Sequence, residues 1–282
     1  MKRPSSYILS LARCLLFAVL CAAILPACAG ADSEDASSRL LSARQLIADN
    51  RFNAAKLQLD SINLLYPRNI DARREAQHLS DTLMLLEAER TLHYSDSLLQ
   101  VLNTKADSLL PLFRYEKDPR YQSRGYYIHP TLLSTKNSQR TYLQAEVADD
   151  GNLVLRSHYF GSAAINHTRL KVTAGDNYTQ FSGSTHHFYA DGHYEILTCT
   201  DERCLQVLQL IAADAGSKVT ITLSGDKKST TYTLTPSDIT ALVQTLELCY
   251  LLSDIRRAEQ TFNNADMQIR LMYKRLNPQP AS

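Results

Sequence analysis

Cysteine is the most reactive residue type in this chain, and two cysteines lie close together in sequence. Cys199 and Cys204 flank a predicted strand-to-helix junction, where an oxidising compartment would allow them to form a disulfide. The alternative is that both are small, buried, apolar side chains. Together with Cys249 they make an odd set, which is not a disulfide framework, and no histidine accompanies them at ligand spacing. The sequence therefore predicts no metal site here and leaves the disulfide open.

Histidine is the second candidate for chemistry, because most of the histidines fall in one predicted β-rich region. These are His158, His167, His186, His187 and His193. Neighbouring residues of a strand point to opposite faces, so His186 and His187 cannot both ligate one metal ion there. A surface metal site made by one of these two histidines with His193 and Asp191 across a hairpin is an alternative. Polar strand residues with satisfied hydrogen bonds are the favoured interpretation.

The chain contains none of the short motifs that identify common catalytic or cofactor sites. H-E-x-x-H, G-x-S-x-G, Walker A and dinucleotide-binding glycine patterns are all absent from the sequence. The charge balance, 30 basic against 29 acidic residues, also lacks the excess that marks a nucleic-acid partner. The sequence therefore predicts a non-enzymatic protein with no cofactor and no nucleic-acid partner. An uncatalogued hydrolase is the less favoured alternative.

The segment from residue 113 to residue 130 is the richest in aromatic and charged side chains. Its candidate ligand-binding residues are Arg124, Tyr126, Tyr127 and His129. Tyrosine and arginine are typical of recognition surfaces, so these four could form a ledge for a sugar or a peptide. The alternative, which we favour, is a connector whose rings pack against the end of the preceding helix.

The start of the chain carries the pattern of a bacterial export signal. A short basic beginning precedes an apolar stretch, Cys14 to Leu25, that is too short to span a bilayer. This pattern predicts a signal peptide over residues 1–27. The sequence Leu25-Pro26-Ala27-Cys28 resembles a lipobox, in which the thiol of Cys28 is acylated and holds the protein on a membrane. The alternative is cleavage at an A-x-A site, Ala27 to Ala29 or Ala29 to Ala31, which would release a soluble protein.

Helices and strands predicted from the sequence must position these candidate residues. Residues 28–37 are small, polar and acidic, which predicts a flexible tether. A helical region follows over residues 38–113. Its first part resembles one tetratricopeptide repeat at Ala43, Asn50, Phe52, Ala55, Ile62 and Pro67, with Arg39 departing from the pattern. We favour a plain helical hairpin over a peptide-binding groove, because such grooves need several repeats.

Two longer helices are predicted from heptad spacing. The first helix covers about residues 70–113, and its seam consists of two sets of positions that each repeat every seven residues. One set is Leu85, Leu92, Leu99, Ala106 and Phe113. The other set, three residues further on, is Ala88, Ser95, Leu102 and Leu109. In the second, residues 235–277, the seam comprises Ile255, Ala258, Phe262, Ala265, Ile269, Met272 and Leu276. The two seams have matched lengths, so we expect an antiparallel coiled-coil pair.

The region between the long helices predicts a mainly antiparallel β head over residues 141–234. The turn Asp149-Asp150-Gly151-Asn152 joins the first two of about eight strands, and one short helix covers about residues 202–214. A connector, residues 114–140, would precede this head, and residues 278–282 would form a tail. The expected fold is therefore α+β, with the head inserted between two long helices as a curved sheet or open barrel.

The chain resembles envelope lipoproteins of the Bacteroidota. The resemblance rests on the lipobox, on the connector pattern Phe113-x-Tyr-Glu-Lys-Asp-Pro119 through His129-Pro130, and on the strand–helix pattern Val219-Thr-Ile-Thr-Leu-Ser-Gly225 through Leu234-Thr-Pro-Ser-Asp-Ile239. The resemblance implies no particular activity. From the export signal we expect a lipoprotein of the bacterial envelope, in the outer membrane, on either its periplasmic or its surface side. We expect a membrane-anchored interaction or assembly component with an envelope protein partner. A glycan- or lipid-binding head is the alternative.

Overall fold

The computed structural model describes residues 25–120 and 123–278, with side chains from residue 33 onwards. The predicted signal peptide, residues 1–27, therefore lies outside the described residues except for its last three. The side chain of Cys28 also lies outside them. The described chain divides into two compact units, the first containing residues up to Tyr94 and from Phe262 onwards, and the second Ser95–Thr261.

The first unit begins with a helical hairpin. Helix α1 (Leu25–Ala48) and helix α2 (Phe52–Leu65) precede the start of helix α3 (Ile70–Leu109). The hairpin core consists of buried small and aliphatic side chains, among them Ala36, Leu40, Ala43, Ala55, Leu59 and Ile62. The turn between α1 and α2 places Asn50 at φ +58°, a left-handed conformation that asparagine tolerates better than most residues. This is the turn position at which the sequence pattern places Asn50.

The prediction of a flexible tether over residues 28–37 is wrong, because all of these residues belong to α1. The last residues of this segment pack against the rest of the hairpin. Ala36 is fully buried, and the carboxylate of Asp35 accepts a hydrogen bond from the hydroxyl of Tyr66. An alanine at helical spacing from Leu40 and Ala43 continues the apolar face of the helix, which the local acidic and serine-rich composition obscured.

Both predicted long helices are present. Helix α3 contains 40 residues, and helix α5 (Pro236–Leu276) contains 41. They pack together and run antiparallel. In the first unit, Tyr273 donates a hydrogen bond to Glu89 at 3.2 Å. In the second unit, Leu102 and Ala106 of α3 form a buried cluster with residues of α5, including Leu251 and Ala258. The predicted seam positions of α5 are all buried or half-buried.

The β-rich part contains ten strands among the described residues, all paired antiparallel in two sheets. The six-stranded sheet has the order β1-β2-β3-β4-β8-β7, formed by β1 (Arg114–Glu116), β2 (Tyr126–Ile128), β3 (Tyr142–Ala148), β4 (Leu153–Gly161), β7 (Thr185–Tyr189) and β8 (His193–Cys199). The four-stranded sheet has the order β10-β9-β5-β6, formed by β5 (Arg169–Ala174), β6 (Asn177–Ser182), β9 (Val219–Ser224) and β10 (Ser229–Thr233).

Two details of the head differ from the sequence prediction. The eight predicted strands are β3 to β10, but they form two sheets instead of one curved sheet or open barrel. The predicted connector, residues 114–140, supplies β1 and β2, and β2 pairs with β3. Both added strands have three residues, too short to show a period in sequence.

One apolar core joins both sheets to two helices. Leu155 and Leu197 reach it from the six-stranded sheet, and Val172 and Ile221 reach it from the four-stranded sheet. Helix α4 (Glu202–Ala213) adds the buried face of an amphipathic helix, and the first turns of α5 close the cluster. None of the described helices is long and apolar enough to cross a membrane.

Candidate functional site

The four residues predicted to form a ligand-binding ledge lie in separate environments. Tyr126 and Tyr127 are consecutive on β2 and therefore point to opposite faces of the sheet. The ring of Tyr127 lies 4.9 Å from that of Tyr115 and packs on the apolar cluster around Phe113. Burial raises the pKa of the Tyr127 hydroxyl. Tyr127 is therefore a packing residue, as expected if this segment is a connector and not a ligand-binding ledge.

Arg124 and His129 have structural partners of their own. The guanidinium of Arg124 forms an ion pair with Asp150 in the turn between β3 and β4. The imidazole of His129 lies edge-on to Phe113 at 5.6 Å, and its Nδ1 accepts a hydrogen bond from the backbone N–H of Thr131. Burial lowers the pKa of His129. The structure therefore does not bring the four side chains together as one ledge.

A row of aromatic side chains crosses three neighbouring strands at the other end of the six-stranded sheet. Phe160 on β4, Tyr194 on β8 and Phe188 on β7 occupy directly paired positions. The ring of Tyr194 lies 4.8 Å from that of Phe160 and is stacked on that of Phe188 at 4.7 Å, with an angle of 2° between the planes. Cross-strand aromatic pairs of this kind stabilise a sheet and present flat ring faces.

A cavity of about 290 Å³ opens beside this row. Its walls include Tyr142, His158, Phe188, Tyr194 and Ile196, and Arg140 contributes a charged group. This volume is at the lower end of small-molecule sites, which span roughly 300–1,000 Å³. The guanidinium of Arg140 is paired with Asp238 at the start of α5. The wall is therefore mainly aromatic, with its one cation already neutralised.

The polar side chains that support this wall are linked to one another. His158 stacks on Tyr142 at 4.4 Å, and its Nε2 lies 2.8 Å from the side-chain oxygen of Gln144. Burial lowers the pKa of His158 to about 4, with the charge of Arg156 as the second cause. The imidazole is therefore neutral at pH 7, and because the amide oxygen accepts, Nε2 carries the proton.

Strand β7 forms one edge of the six-stranded sheet, and its exposed side chains are aromatic or histidine. Phe188 is 51% exposed and Tyr189 is 74% exposed. On the part of the chain that the structure describes, no strand pairs with the outer side of β7. Natural edge strands usually carry a lysine, a proline or a bulge that discourages further pairing, and β7 has neither lysine nor proline. The absence of lysine and proline is visible in the sequence, but only the strand order shows that β7 is an edge strand.

The predicted disulfide residues meet at the end of β8. The Sγ atoms of Cys199 and Cys204 lie 2.7 Å apart, and both residues are buried free thiols. The carboxylate of Asp201 completes a group whose potential ligand atoms lie within 4.8 Å of one another, the one such group among the described residues. However, Nε of Arg203 donates to both oxygens of that carboxylate at 2.9 Å and 3.0 Å. Arg203 holds the pKa of Asp201 well below its usual range.

The five head histidines do not form one cluster. Nδ1 of His167 and Nδ1 of His187 lie 2.7 Å and 4.0 Å from the carboxylate of Glu195, whereas His158 supports the aromatic cavity, His186 is exposed on β7 and His193 begins β8. Among the described residues, no group of three potential ligands includes a histidine. Comparison with known proteins gave no match to a family model, to a curated protein or to a solved structure. The site must therefore be interpreted from its own chemistry.

Proposed function

We propose that this protein is a membrane-anchored lipoprotein of the bacterial envelope that acts as a non-enzymatic interaction or assembly component. The observation that carries the proposal is the unprotected outer edge of β7. The lipobox-like sequence at Leu25 to Cys28 supports the location, since acylated Cys28 would hold the chain on the membrane.

The partner that suits this edge is an extended segment of another envelope protein. Backbone N–H and C=O groups of alternate residues point outward along an antiparallel edge strand and can pair with an added strand. Phe188 and Tyr189 point to opposite faces and would contact alternate side chains of that segment. Main-chain hydrogen bonds would supply affinity in this mode, and the two aromatic rings would supply specificity.

The test is cross-linking from β7 in the native envelope. A photo-reactive residue in place of His187, in the full-length protein, should join a partner protein in the producing bacterium. Tyr189→Lys should abolish the cross-link because a lysine on an edge strand opposes strand addition. Tyr94→Lys is the matched control, since Tyr94 is 67% exposed on α3 and far in sequence from the sheet. Equal capture by both variants would contradict the role of β7.

The membrane anchor needs a separate test, because partner binding and location could fail independently. Wild-type protein should enter the detergent phase on phase partitioning, and Cys28→Ala should remain in the aqueous phase. Wild-type protein found wholly in the aqueous phase would contradict lipidation and favour cleavage at the A-x-A site.

Glycan or lipid binding by the head is a second candidate, favoured by the aromatic cavity. Flat ring faces from Tyr142, Phe188 and Tyr194 suit the apolar face of a sugar ring or a short apolar chain. A glycan array and a fatty-acid displacement assay distinguish these ligands. Phe188→Ala should weaken the signal, and Tyr126→Ala, outside the cavity, should not. A signal that survives Phe188→Ala unchanged would exclude this cavity as the site.

A further inference from the structure

Cys199 and Cys204 are placed for a covalent reaction with each other. Cys199 is the last residue of β8, and Cys204 lies in the first turn of α4. Asp201 caps the helix between them, because its carboxylate accepts the backbone N–H of Arg203 at 3.0 Å. This cap fixes the turn from strand to helix and so fixes the approach of the two sulfur atoms at 2.7 Å.

The spacing of the two sulfur atoms suits a disulfide and does not suit a metal ion. Two thiolates bound to one tetrahedral zinc ion at about 2.3 Å each are held about 3.8 Å apart. The observed separation is 2.7 Å, so metal binding would require the two sulfur atoms to move apart by about 1 Å. The third potential ligand, the carboxylate of Asp201, is also engaged by Arg203. A cation would have to displace that guanidinium.

We propose that Cys199 and Cys204 are a modification site at which the protein forms an internal disulfide that joins β8 to α4. The oxidant is an external disulfide, either in a thiol–disulfide oxidoreductase or in a small molecule such as oxidised glutathione. The thiolate of one of the two cysteines attacks one sulfur of that disulfide and releases the other as a thiol. The other cysteine then attacks Sγ of the first and releases the second thiol. Two thiols of this protein are oxidised, and one external disulfide is reduced to two thiols.

Hydrogen bonds link the two thiols to each other and to the helix cap. Cys204 donates to Sγ of Cys199, and this hydrogen bond lowers the pKa of Cys199 and raises that of Cys204. The thiol of Cys199 in turn donates to the Asp201 carboxylate at 3.5 Å, and this hydrogen bond opposes the lowering of the Cys199 pKa. Cys204, Cys199 and Asp201 therefore form one hydrogen-bonded chain in the folded head.

Burial controls when the reaction can occur. Cys204 is fully buried and Cys199 is 4% exposed, so neither thiol meets a protein-sized oxidant in the folded head. The disulfide should therefore form during folding, or when α4 opens locally from the sheet. Once formed, it should resist reductants until the head unfolds. Both thiols of the folded reduced protein should accordingly react far more slowly with a thiol reagent than they do in denaturant.

The experiment uses the purified full chain and a glutathione redox buffer, so it does not depend on the proposed location. The protein is unfolded, refolded with oxidised glutathione, and alkylated in denaturant before digestion with trypsin. Arg203 lies between the two cysteines, so trypsin separates them and an intact disulfide leaves two joined peptides. We expect the joined peptides in nearly all molecules of wild type and of the control Cys249→Ser.

Other results would overturn the proposal. Alkylation of both Cys199 and Cys204 after oxidative refolding would exclude the disulfide. A disulfide that involves Cys249 in place of either partner would also contradict it. Zinc bound in a one-to-one ratio after refolding with the metal, and lost in Cys199→Ser, would assign the pair to a metal site. Disulfide mapping uses wild-type protein, so its result remains valid if the Cys199→Ser variant does not fold.

Discussion

Glu195 accepts a hydrogen bond from Nδ1 of His167 at 2.7 Å, and both side chains are almost fully buried in the head. The same carboxylate accepts the backbone N–H groups of Ile165, Asn166 and His167 at 2.7 to 2.8 Å. Glu195 thus fixes the loop that leads from the six-stranded sheet into β5. It also lies on β8 directly opposite His187 of the proposed interaction strand.

Glu195→Gln should destabilise the protein by about 3 kcal/mol. The substitution removes a buried charge that four donors satisfy and turns one acceptor oxygen into a donor that faces N–H groups. The free energy of unfolding, measured with urea at pH 7, checks this expectation. The control is Glu259→Gln on the exposed face of α5, which should change that free energy by less than about 0.5 kcal/mol. Equal, small effects of both substitutions would contradict the anchoring role of Glu195.

The stability of the head should fall between about pH 6.5 and pH 4 because of His158. Burial lowers the pKa of His158 in the folded protein to about 4, whereas in the unfolded chain it is near 6.5. Below pH 6.5 the unfolded chain therefore binds a proton that the folded head does not. This difference should remove roughly 2–3 kcal/mol as the pH falls through that range.

The measurement is urea unfolding at pH 7, 6, 5 and 4 for wild type, for His158→Gln and for His93→Gln. His158→Gln should lose most of the pH dependence in this window because the titrating group is gone. His93 is exposed on α3, so His93→Gln should follow the wild type. A His158→Gln profile as steep as that of wild type would show that another group causes the loss.

Gly151→Ala should destabilise the protein by more than Gly175→Ala. Both glycines have positive φ, +84° at Gly151 and +54° at Gly175. An added Cβ at Gly151 would lie 2.7 Å from the backbone nitrogen of Ser253 on α5, whereas at Gly175 it would meet nothing within 4 Å. We expect about 1 kcal/mol for Gly175→Ala, from the backbone conformation alone, and about 2–4 kcal/mol for Gly151→Ala. Similar values for both would mean that the β3–β4 turn does not pack on α5.

Leu102→Ala should cost about 2–4 kcal/mol of unfolding free energy, and Val101→Ala less than about 0.5 kcal/mol. Leu102 is 7% exposed in the cluster with Leu251 and Ala258, and its neighbour Val101 is 54% exposed. The comparison tests the phase of the heptad seam with two adjacent residues. The reverse order of effects would show that α3 presents a different face to α5.

Much of the architecture follows from local periodicity in the sequence. Heptad spacing in α3 and α5 and alternation in β5, β8 and β9 report which face of each of these elements is apolar. The turn Asp149 to Asn152 was predictable because glycine alone adopts φ +84° without steric cost. The antiparallel pairing of the long helices followed from two seams of equal length.

The candidate site was less predictable, because it depends on the pairing of distant strands. Arg124, Tyr126, Tyr127 and His129 are neighbours in sequence, but a strand sends consecutive side chains to opposite faces. The aromatic row joins Phe160 to Phe188 and Tyr194 only through the order β4-β8-β7. No local pattern predicts that order.

The sequence by itself determined the types and faces of the elements, since periodicity records which side of each element must leave water. It also placed Cys199 and Cys204 close enough along the chain for a disulfide, but left open whether the two side chains pair. Only the tertiary structure decided that β7 is an unprotected edge and that Glu195 holds a loop some thirty residues away. Strand order and buried hydrogen bonds join residues that are far apart in sequence, so only the folded chain defines them.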